Sequence, residues 1–165
     1  MAYSMCRDAL TALKENDLEL ARTIYALDDD VDHFYHFVRK VLRSATLDFS
    51  LAEALGIAPL NCLDYQRLVD SIEHTTDCAS NIVKSIILLN EAGHRIPAYI
   101  TGLLMDFGSV AAETYNEAVN AFFDEDVEKA NSIINRCNEV WSLSTKISKS
   151  ILKEREAALI LSLIH

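Results

Sequence analysis

Apolar residues recur every three or four positions along the first third of the chain. They are Leu20, Ile24, Leu27, Val31, Phe34, Val38, Val41 and Ala45. This spacing places them on one face of a helix and predicts a long bundle helix that ends near Ala45. The Glu15-Asn16-Asp17 segment before it is typical of a turn and an N-cap. We therefore expect a short helix, from about Ala2 to Lys14, to form a hairpin with the long one.

A connector at 48–60 follows, with helix-breaking Gly and Pro residues and room for one helical turn at 51–55. The next apolar stripe predicts a long helix from about Asn61 to Glu91 and comprises Leu68, Ile72, Thr76, Ala79, Val83 and Ile86. The same pattern predicts a further helix from about Pro97 to Phe123, an acidic turn at 124–126 and a last helix from Val127 onward. With only 4 Gly and 2 Pro among 165 residues, a sandwich or barrel of short strands is excluded. We predict an all-α fold of long antiparallel helices.

The sequence repeats itself at a shift of 109 positions, and seven residues in a 26-residue window are identical. Ala9, Ala12, Asp17, Glu19, Ala21, Ile24 and Val31 recur as Ala118, Ala121, Asp126, Glu128, Ala130, Ile133 and Val140. Because the acidic turn recurs along with the apolar stripe, a duplicated hairpin is favoured over chance matching of two amphipathic helices. We predict a three-helix bundle at 1–92 and an incomplete second repeat at 97–165, which would need a third long helix after His165.

The last residues, Ala157 to Ile164, are apolar on every side of a helix. Such a segment is normally covered by other protein. We therefore expect a fragment of a longer protein or a homodimer, with a second copy completing the fold.

Charge and cysteine content bear on the possible binding partners and on the cellular compartment. The 25 Asp and Glu residues outweigh 15 Lys and Arg, and the resulting net charge of −10 disfavours nucleic-acid binding by this region. Four widely spaced cysteines, Cys6, Cys62, Cys78 and Cys137, lack zinc-module spacing and indicate free, mostly buried thiols in a reducing compartment. Neither a signal peptide nor a membrane-spanning run is recognisable. A cytoplasmic location is expected.

Two carboxylate pairs lie at i,i+4 spacing in the middle of predicted helices, Asp28 with Asp32 and Glu73 with Asp77. Like charges at this spacing repel, and Asp is a poor helix former, so a compensating interaction is expected. Each pair follows the apolar stripe by one residue and therefore borders the core. Both pairs lie roughly 21–23 Å from the connector at 1.5 Å per residue, so the four carboxylates can meet at one level of the hairpin.

A cation would relieve the repulsion of four converging carboxylates, and Mg²⁺, Fe and Zn²⁺ accept oxygen ligands. A metal site at Asp28, Asp32, Glu73 and Asp77 is therefore our preferred interpretation. Two alternatives stay open at this stage: a solvated acidic face, which is the commoner fate of a charge run, and a new helix start capped by Asp28.

Two segments resemble signatures of the phosphate-uptake regulator (PhoU) family, namely Leu20-Ala21-Arg22-Thr23-Ile24-x-x-x-Asp28-x-x-Val31-Asp32 and Ile72-Glu73-His74-Thr75-Thr76-Asp77-x-Ala79. In that family an E(D)-x-x-x-D motif recurs on two pseudo-repeated three-helix bundles and holds metal clusters. The resemblance implies bound Fe, Zn, Ni or Mg at the four carboxylates. It also implies a non-enzymatic regulator that contacts a sensor histidine kinase and the ATPase subunit of a phosphate transporter. An archaeal-type member's fragment, or one lacking an N-terminal DNA-binding module, would fit.

The second repeat departs from the family pattern, because Cys137 and Trp141 stand where the first repeat has Asp28 and Asp32. Any metal site therefore depends on the first bundle. His74 also replaces the basic residue that usually follows the motif Glu, which changes the surroundings of the ligands.

Three other functions remain as alternatives. A di-iron carboxylate enzyme needs Glu-x-x-His pairs, and only Asp30-x-x-His33 has that spacing. Histidine phosphotransfer would use His36, and an accessory protein of the phosphate transporter would differ from the regulator only in its partner. The aromatic residues at 34–37 and Trp141 are expected in the core or at an interface.

Overall fold

The computed structural model describes residues 1–151, which form six helices and contain no strand. The helices are α1 (Ala2–Glu15), α2 (Leu18–Ala45), α3 (Phe49–Leu55), α4 (Asn61–Glu91), α5 (Ala98–Phe123) and α6 (Val127–Ile151). The predicted all-α fold is confirmed. None of these helices is long and apolar enough to cross a bilayer.

The α1–α2 turn forms for local reasons. Asn16 adopts the left-handed conformation at the end of α1, with φ of 53°, and Asn tolerates this region better than most residues. The Asp17 carboxylate then accepts hydrogen bonds from the backbone N–H groups of Glu19 and Leu20, both at 3.0 Å. Two of the orphan donors at the start of α2 are thereby satisfied.

The main core lies where α4 packs against both α2 and α1. It contains fully buried apolar residues from α1, α2, α4 and α5, including Ala9, Ala12, Ile24, Val83 and Ile100. Gly108 lets α5 approach α1 closely, because a Cβ at this position would lie 2.5 Å from a methyl carbon of Leu10. A smaller cluster of Leu42, Ala45, Ala52 and Cys62 attaches α3 to the connector end of α2 and α4.

The α5–α6 turn repeats the α1–α2 turn residue for residue. Glu125 corresponds to Asn16 and has φ of 52°. The N–H of Asp126 donates to the carbonyl of Ala121 at 3.0 Å, just as that of Asp17 donates to Ala12 at 3.0 Å. The two hairpins of the predicted repeat thus share their turn geometry, while α6 packs chiefly on α5.

Several apolar and thiol side chains are more exposed than predicted. Trp141 is 76% exposed, so it does not lie in the core, because the α6 face that carries it points away from α5, and its place at an interface stays a prediction. Phe34 and Phe37 are 59% and 63% exposed, because α4 covers only part of the apolar stripe of α2. Cys62 is buried as predicted, whereas Cys137 is exposed on α6. The apolar segment at 157–164 lies outside the described residues.

Candidate metal centre

Three of the four predicted carboxylates converge between α2 and α4. Oxygen atoms of Asp32, Glu73 and Asp77 all lie within 4.8 Å of one another. Each of the three side chains is half-buried. The group is therefore partly shielded from water yet open to an incoming ion.

The positions of these side chains follow from the buried residues that precede them on each helix. Val31 on α2 and Thr76 on α4 face the core, with exposed fractions of 5% and 1%. Asp32 and Asp77 each follow one of these residues and therefore lie at the edge of the packed seam. Glu73 precedes Asp77 by four residues, which brings both to the same side of α4.

The electrostatics of the group is repulsive. Burial and the neighbouring charges of Asp77 and Asp32 raise the pKa of the Glu73 carboxyl. Among the residues that the structure describes, no basic side chain lies within ion-pair distance of Asp32, Glu73 or Asp77. Their negative charge therefore lacks a Lys or Arg partner within the described part of the protein, and the neighbouring His74 offsets the rise in the Glu73 pKa only in part.

The nearby guanidinium of Arg39 is engaged elsewhere. Arg39 donates a 2.6 Å hydrogen bond to the Tyr35 hydroxyl, and that hydroxyl donates to Asp70 at 3.0 Å. Arg39 also lies 3.8 Å from the Asp70 carboxylate. Asp70 precedes Glu73 by one helical turn, so this network borders the carboxylate group and compensates Asp70.

Asp28, the fourth predicted ligand, is not part of the group that converges. Its carboxylate is half-buried, and the Ser80 hydroxyl on α4 lies beside it as a hydrogen-bond donor. Burial raises its pKa, the charges of Asp77, Asp32 and Asp29 add to this, and the Ser80 hydroxyl opposes it. Asp28 therefore borders the site through Asp77 and Ser80.

Ser80 is the residue that the sequence interpretation missed. It is 4% exposed, and its hydroxyl lies beside the Asp28 carboxylate as a hydrogen-bond donor. Ser80 follows Asp77 by three residues, a spacing that places both on one side of the helix. That spacing was the available signal, but one serine in a helix carries too little information to be singled out.

The donor set fits a hard cation. The three converging groups offer only carboxylate oxygens, the ligand type taken by Mg²⁺, Mn²⁺ and iron. The half-buried Asp28 carboxylate, beside Asp77 and Asp32, adds to the repulsion that a bound cation would relieve. The thiol of Cys78 beside Asp77 has a pKa raised chiefly by burial, which disfavours the thiolate that a soft metal requires.

An apolar cavity adjoins the carboxylate group. Its volume is about 310 Å³, and Glu73 is the acidic residue in its wall. The other lining residues include apolar side chains of α2, α4 and α5, among them Val31, Phe34, Val38, Val69, Ile72 and Val119. The acidic group thus has an apolar surface on one side, and the exposed ring of Phe34 forms part of the rim of the cavity.

Comparison with known proteins places this arrangement in a family. Two curated relatives share 24% and 25% identity with the chain over 152 and 154 residues, each match covering 92% of it. They come from Rhizobium meliloti and Clostridium acetobutylicum, and each is named a phosphate-specific transport system accessory protein PhoU homolog. The matches span 62% and 67% of those relatives, and no solved structure matches significantly. The family description "PhoU domain" matches residues 1–86, which include all four acidic positions. The chain belongs to the PhoU domain family.

Proposed function

We propose that this protein is a non-enzymatic regulator of phosphate uptake that binds metal and acts through contacts with other proteins. Family membership and the names of the two relatives support a role beside a phosphate transport system. The partners proposed from the family are a sensor histidine kinase and the ATPase subunit of the transporter. The reducing compartment suggested by free cysteines fits a cytoplasmic place of action.

The observation that carries the metal-binding part is the convergence of Asp32, Glu73 and Asp77 within 4.8 Å. Without a cation, three carboxylates at this separation repel one another. A bound cation would reverse that repulsion and join α2 to α4, so that metal occupancy would stabilise the first bundle. Asp28 completes the proposed ligand set from the adjoining turn of α2.

The proposed partner surface is the exposed part of α2 around this acidic group. Phe34 and Phe37 are more than half exposed there, and aromatic residues are enriched in protein interfaces. The overall charge of −10 favours a basic partner surface. Association between such surfaces is accelerated by complementary charge and becomes slower at high salt.

The geometry gives less support to the enzymatic alternative. His33, the histidine of the Asp30-x-x-His33 spacing, is exposed, and its Nδ1 donates to the carbonyl of Asp29 at 2.7 Å. It does not join the carboxylate group. A di-iron carboxylate bundle takes two such histidines as inward-pointing ligands.

Elemental analysis of the purified protein tests the metal site. We expect Asp32→Asn/Asp77→Asn to lose bound metal while retaining its helical circular dichroism. The matched control is Asp29→Asn/Asp30→Asn, which removes the same charge from exposed positions on α2 and should keep the metal. Equal metal content in both variants would contradict the proposed site.

A cellular experiment tests the regulatory part. Deleting the gene should increase phosphate import under phosphate-replete conditions, and restoring the gene should reverse this. Equal import in deletion and wild-type cells would reject regulation of uptake. The purified protein is then added to the cognate kinase, and the phosphorylation of the kinase is measured. A change in phosphorylation indicates that the kinase is a partner, and no change indicates that the protein acts on the transporter alone.

A further inference from the structure

A groove lies at the end of the molecule where α5 begins. Its volume is about 490 Å³, and its walls come from the ends of α1 and α4, the loop after α4 and the start of α5. Its lining includes the apolar side chains of Leu13, Ile86, Leu89 and Met105, the first three of which belong to the buried interior. An occupant that fills this groove therefore needs an apolar side chain.

The rim of the groove is basic, although the protein as a whole carries a charge of −10. Lys14 lies in the last turn of α1, His94 and Arg95 lie in the loop after α4, and all three side chains are exposed. Within residues 1–151, neither Lys14 nor Arg95 forms an ion pair with a carboxylate. Asp106 lines the groove too, but the positive charges of Lys14 and Arg95 outweigh its negative charge. The rim therefore favours an acidic occupant.

Gly102 keeps one wall of the groove open. A Cβ at this position would meet no heavy atom within 4 Å, whereas a Cβ at Gly108 would collide with Leu10. The packing of α5 on α1 thus accounts for Gly108 and leaves Gly102 without a packing role. Glycine inside a helix lowers its stability relative to alanine, so a glycine with no packing contact indicates space kept for an incoming group.

An acidic segment with apolar flanks is exposed at the other end of α5. Asp124, Glu125 and Asp126 form the α5–α6 turn, and all three are exposed. Phe123 and Val127 flank them, with exposed fractions of 59% and 71%. Within the part of the chain that the structure describes, Asp124 and Glu125 form no ion pair. The turn thus offers carboxylates for the basic rim and apolar side chains for the interior of the groove.

We propose that the α5–α6 turn of a second copy of this chain docks in the groove, with Asp124 and Glu125 facing Lys14 and Arg95. A chain cannot fill its own groove, because the 26 residues of α5 separate groove and turn by roughly 39 Å at 1.5 Å per residue. Two copies arranged antiparallel along α5 bring each groove to the turn of the other copy. Each copy then gives one turn and receives one, and this exchange closes the assembly as a symmetric dimer.

Other occupants fit the groove less completely or are less directly supported. A small inorganic anion would pair with Lys14 and Arg95 but would leave the apolar lining uncovered. An acidic segment of a different protein would meet the same charges, but the α5–α6 turn is a segment of this kind that every copy of the chain carries. The experiment must therefore distinguish a dimer through this surface from a chain that is monomeric or that dimerises elsewhere.

Charge reversal on each side of the contact tests the proposal. Lys14→Glu/Arg95→Glu makes the groove acidic, and Asp124→Lys/Glu125→Lys makes the turn basic. Each variant alone sets like charges against each other, so we expect its dimer to be weakened by more than about tenfold. An equimolar mixture of the two variants pairs opposite charges at both contacts and should restore the dimer. Sedimentation velocity at low salt measures all four samples, including the wild type, with a chelator present so that the result does not depend on the proposed metal site.

Two further variants make the test specific. Asp29→Lys/Asp30→Lys makes the same change in charge at exposed positions on α2 and should remain dimeric. Gly102→Leu fills the open wall without meeting a neighbour in its own chain and should weaken the dimer while keeping the helical circular dichroism. A monomeric wild type at micromolar concentration would overturn the inference. A dimer that survives both charge reversals, or helical variants whose mixture stays monomeric, would overturn it as well.

Discussion

The α1–α2 and α5–α6 hairpins have the same turn and different surroundings. Both turns place a left-handed residue and then a capping aspartate at corresponding positions. Yet α2 packs along its length on α4, whereas α6 packs chiefly on α5. The positions that hold half-buried Asp28 and Asp32 in α2 hold exposed Cys137 and Trp141 in α6. A local sequence signal thus specifies the hairpin, while the acidic site also requires a second long helix that supplies facing carboxylates.

The largest difference between the hairpins should be in metal binding. Asp28→Asn/Asp32→Asn should remove bound metal, because Glu73 and Asp77 alone supply ligands from one helix. The reciprocal variant, Cys137→Asp/Trp141→Asp, recreates the acidic pair on α6 and should bind no additional ion. Metal titration followed by calorimetry measures both. Strong binding of a further ion by the α6 variant would show that an acidic pair on one helix is sufficient.

Truncation of the matching isoleucines, Ile24 and Ile133, should show how unequally the two hairpins contribute to stability. Ile24 is 2% exposed and belongs to the main core, whereas Ile133 is 6% exposed and lies outside that cluster. We expect Ile24→Ala to lower the free energy of unfolding by about 3–4 kcal/mol and Ile133→Ala by about 2 kcal/mol. Urea denaturation monitored by circular dichroism gives both values. Equal losses would mean that the two hairpins unfold as one cooperative core.

The two capping aspartates should differ by less. Asp17 accepts two backbone hydrogen bonds at the start of α2, whereas Asp126 accepts one, from Lys129 at 2.9 Å. Replacing an N-cap by Ala lowers stability by about 0.5–2 kcal/mol, and we expect Asp17→Ala near the middle of this range and Asp126→Ala at its low end. Thermal unfolding compares the two variants, and Asp8→Ala, at an exposed position inside α1, is the control. A larger effect at Asp126 would reverse the proposed ranking.

Sequence reasoning performed best where structure is determined locally. The predicted helix ends at Ala45, Glu91 and Phe123 are found, because each coincides with a change in apolar spacing or a helix-breaking residue. The facing of Asp32 with Glu73 and Asp77 could also be predicted, since one connector sets the register of α2 against α4.

Burial was harder to predict, because it depends on which neighbours a helix acquires. Leu27 and Phe34 belong to the apolar stripe of α2, but they are 43% and 59% exposed since α4 covers only part of that stripe. Trp141 on α6 lies outside the core for the same reason. Ser80 is the converse case: its sequence context is ordinary, and only the packing of α2 against α4 buries its hydroxyl beside Asp28.

The smallest expected effect is the release of charge repulsion between the carboxylates of α2 and α4 when metal is absent. Burial and the charges of Asp77 and Asp32 raise the Glu73 pKa, so the folded state binds its proton more tightly than the unfolded state does. The stability of the metal-free protein should therefore fall as pH rises from the unfolded pKa of about 4.3 through the higher folded pKa of Glu73. Glu73→Gln should remove part of this fall and raise stability at neutral pH by about 0.2–0.5 kcal/mol. Urea denaturation at pH 4 and pH 7 in the presence of a chelator measures the difference, with Glu128→Gln on exposed α6 as the control. If Glu73→Gln keeps the full pH dependence of the wild type, then Glu73 is not repelled by the neighbouring carboxylates of α2 and α4.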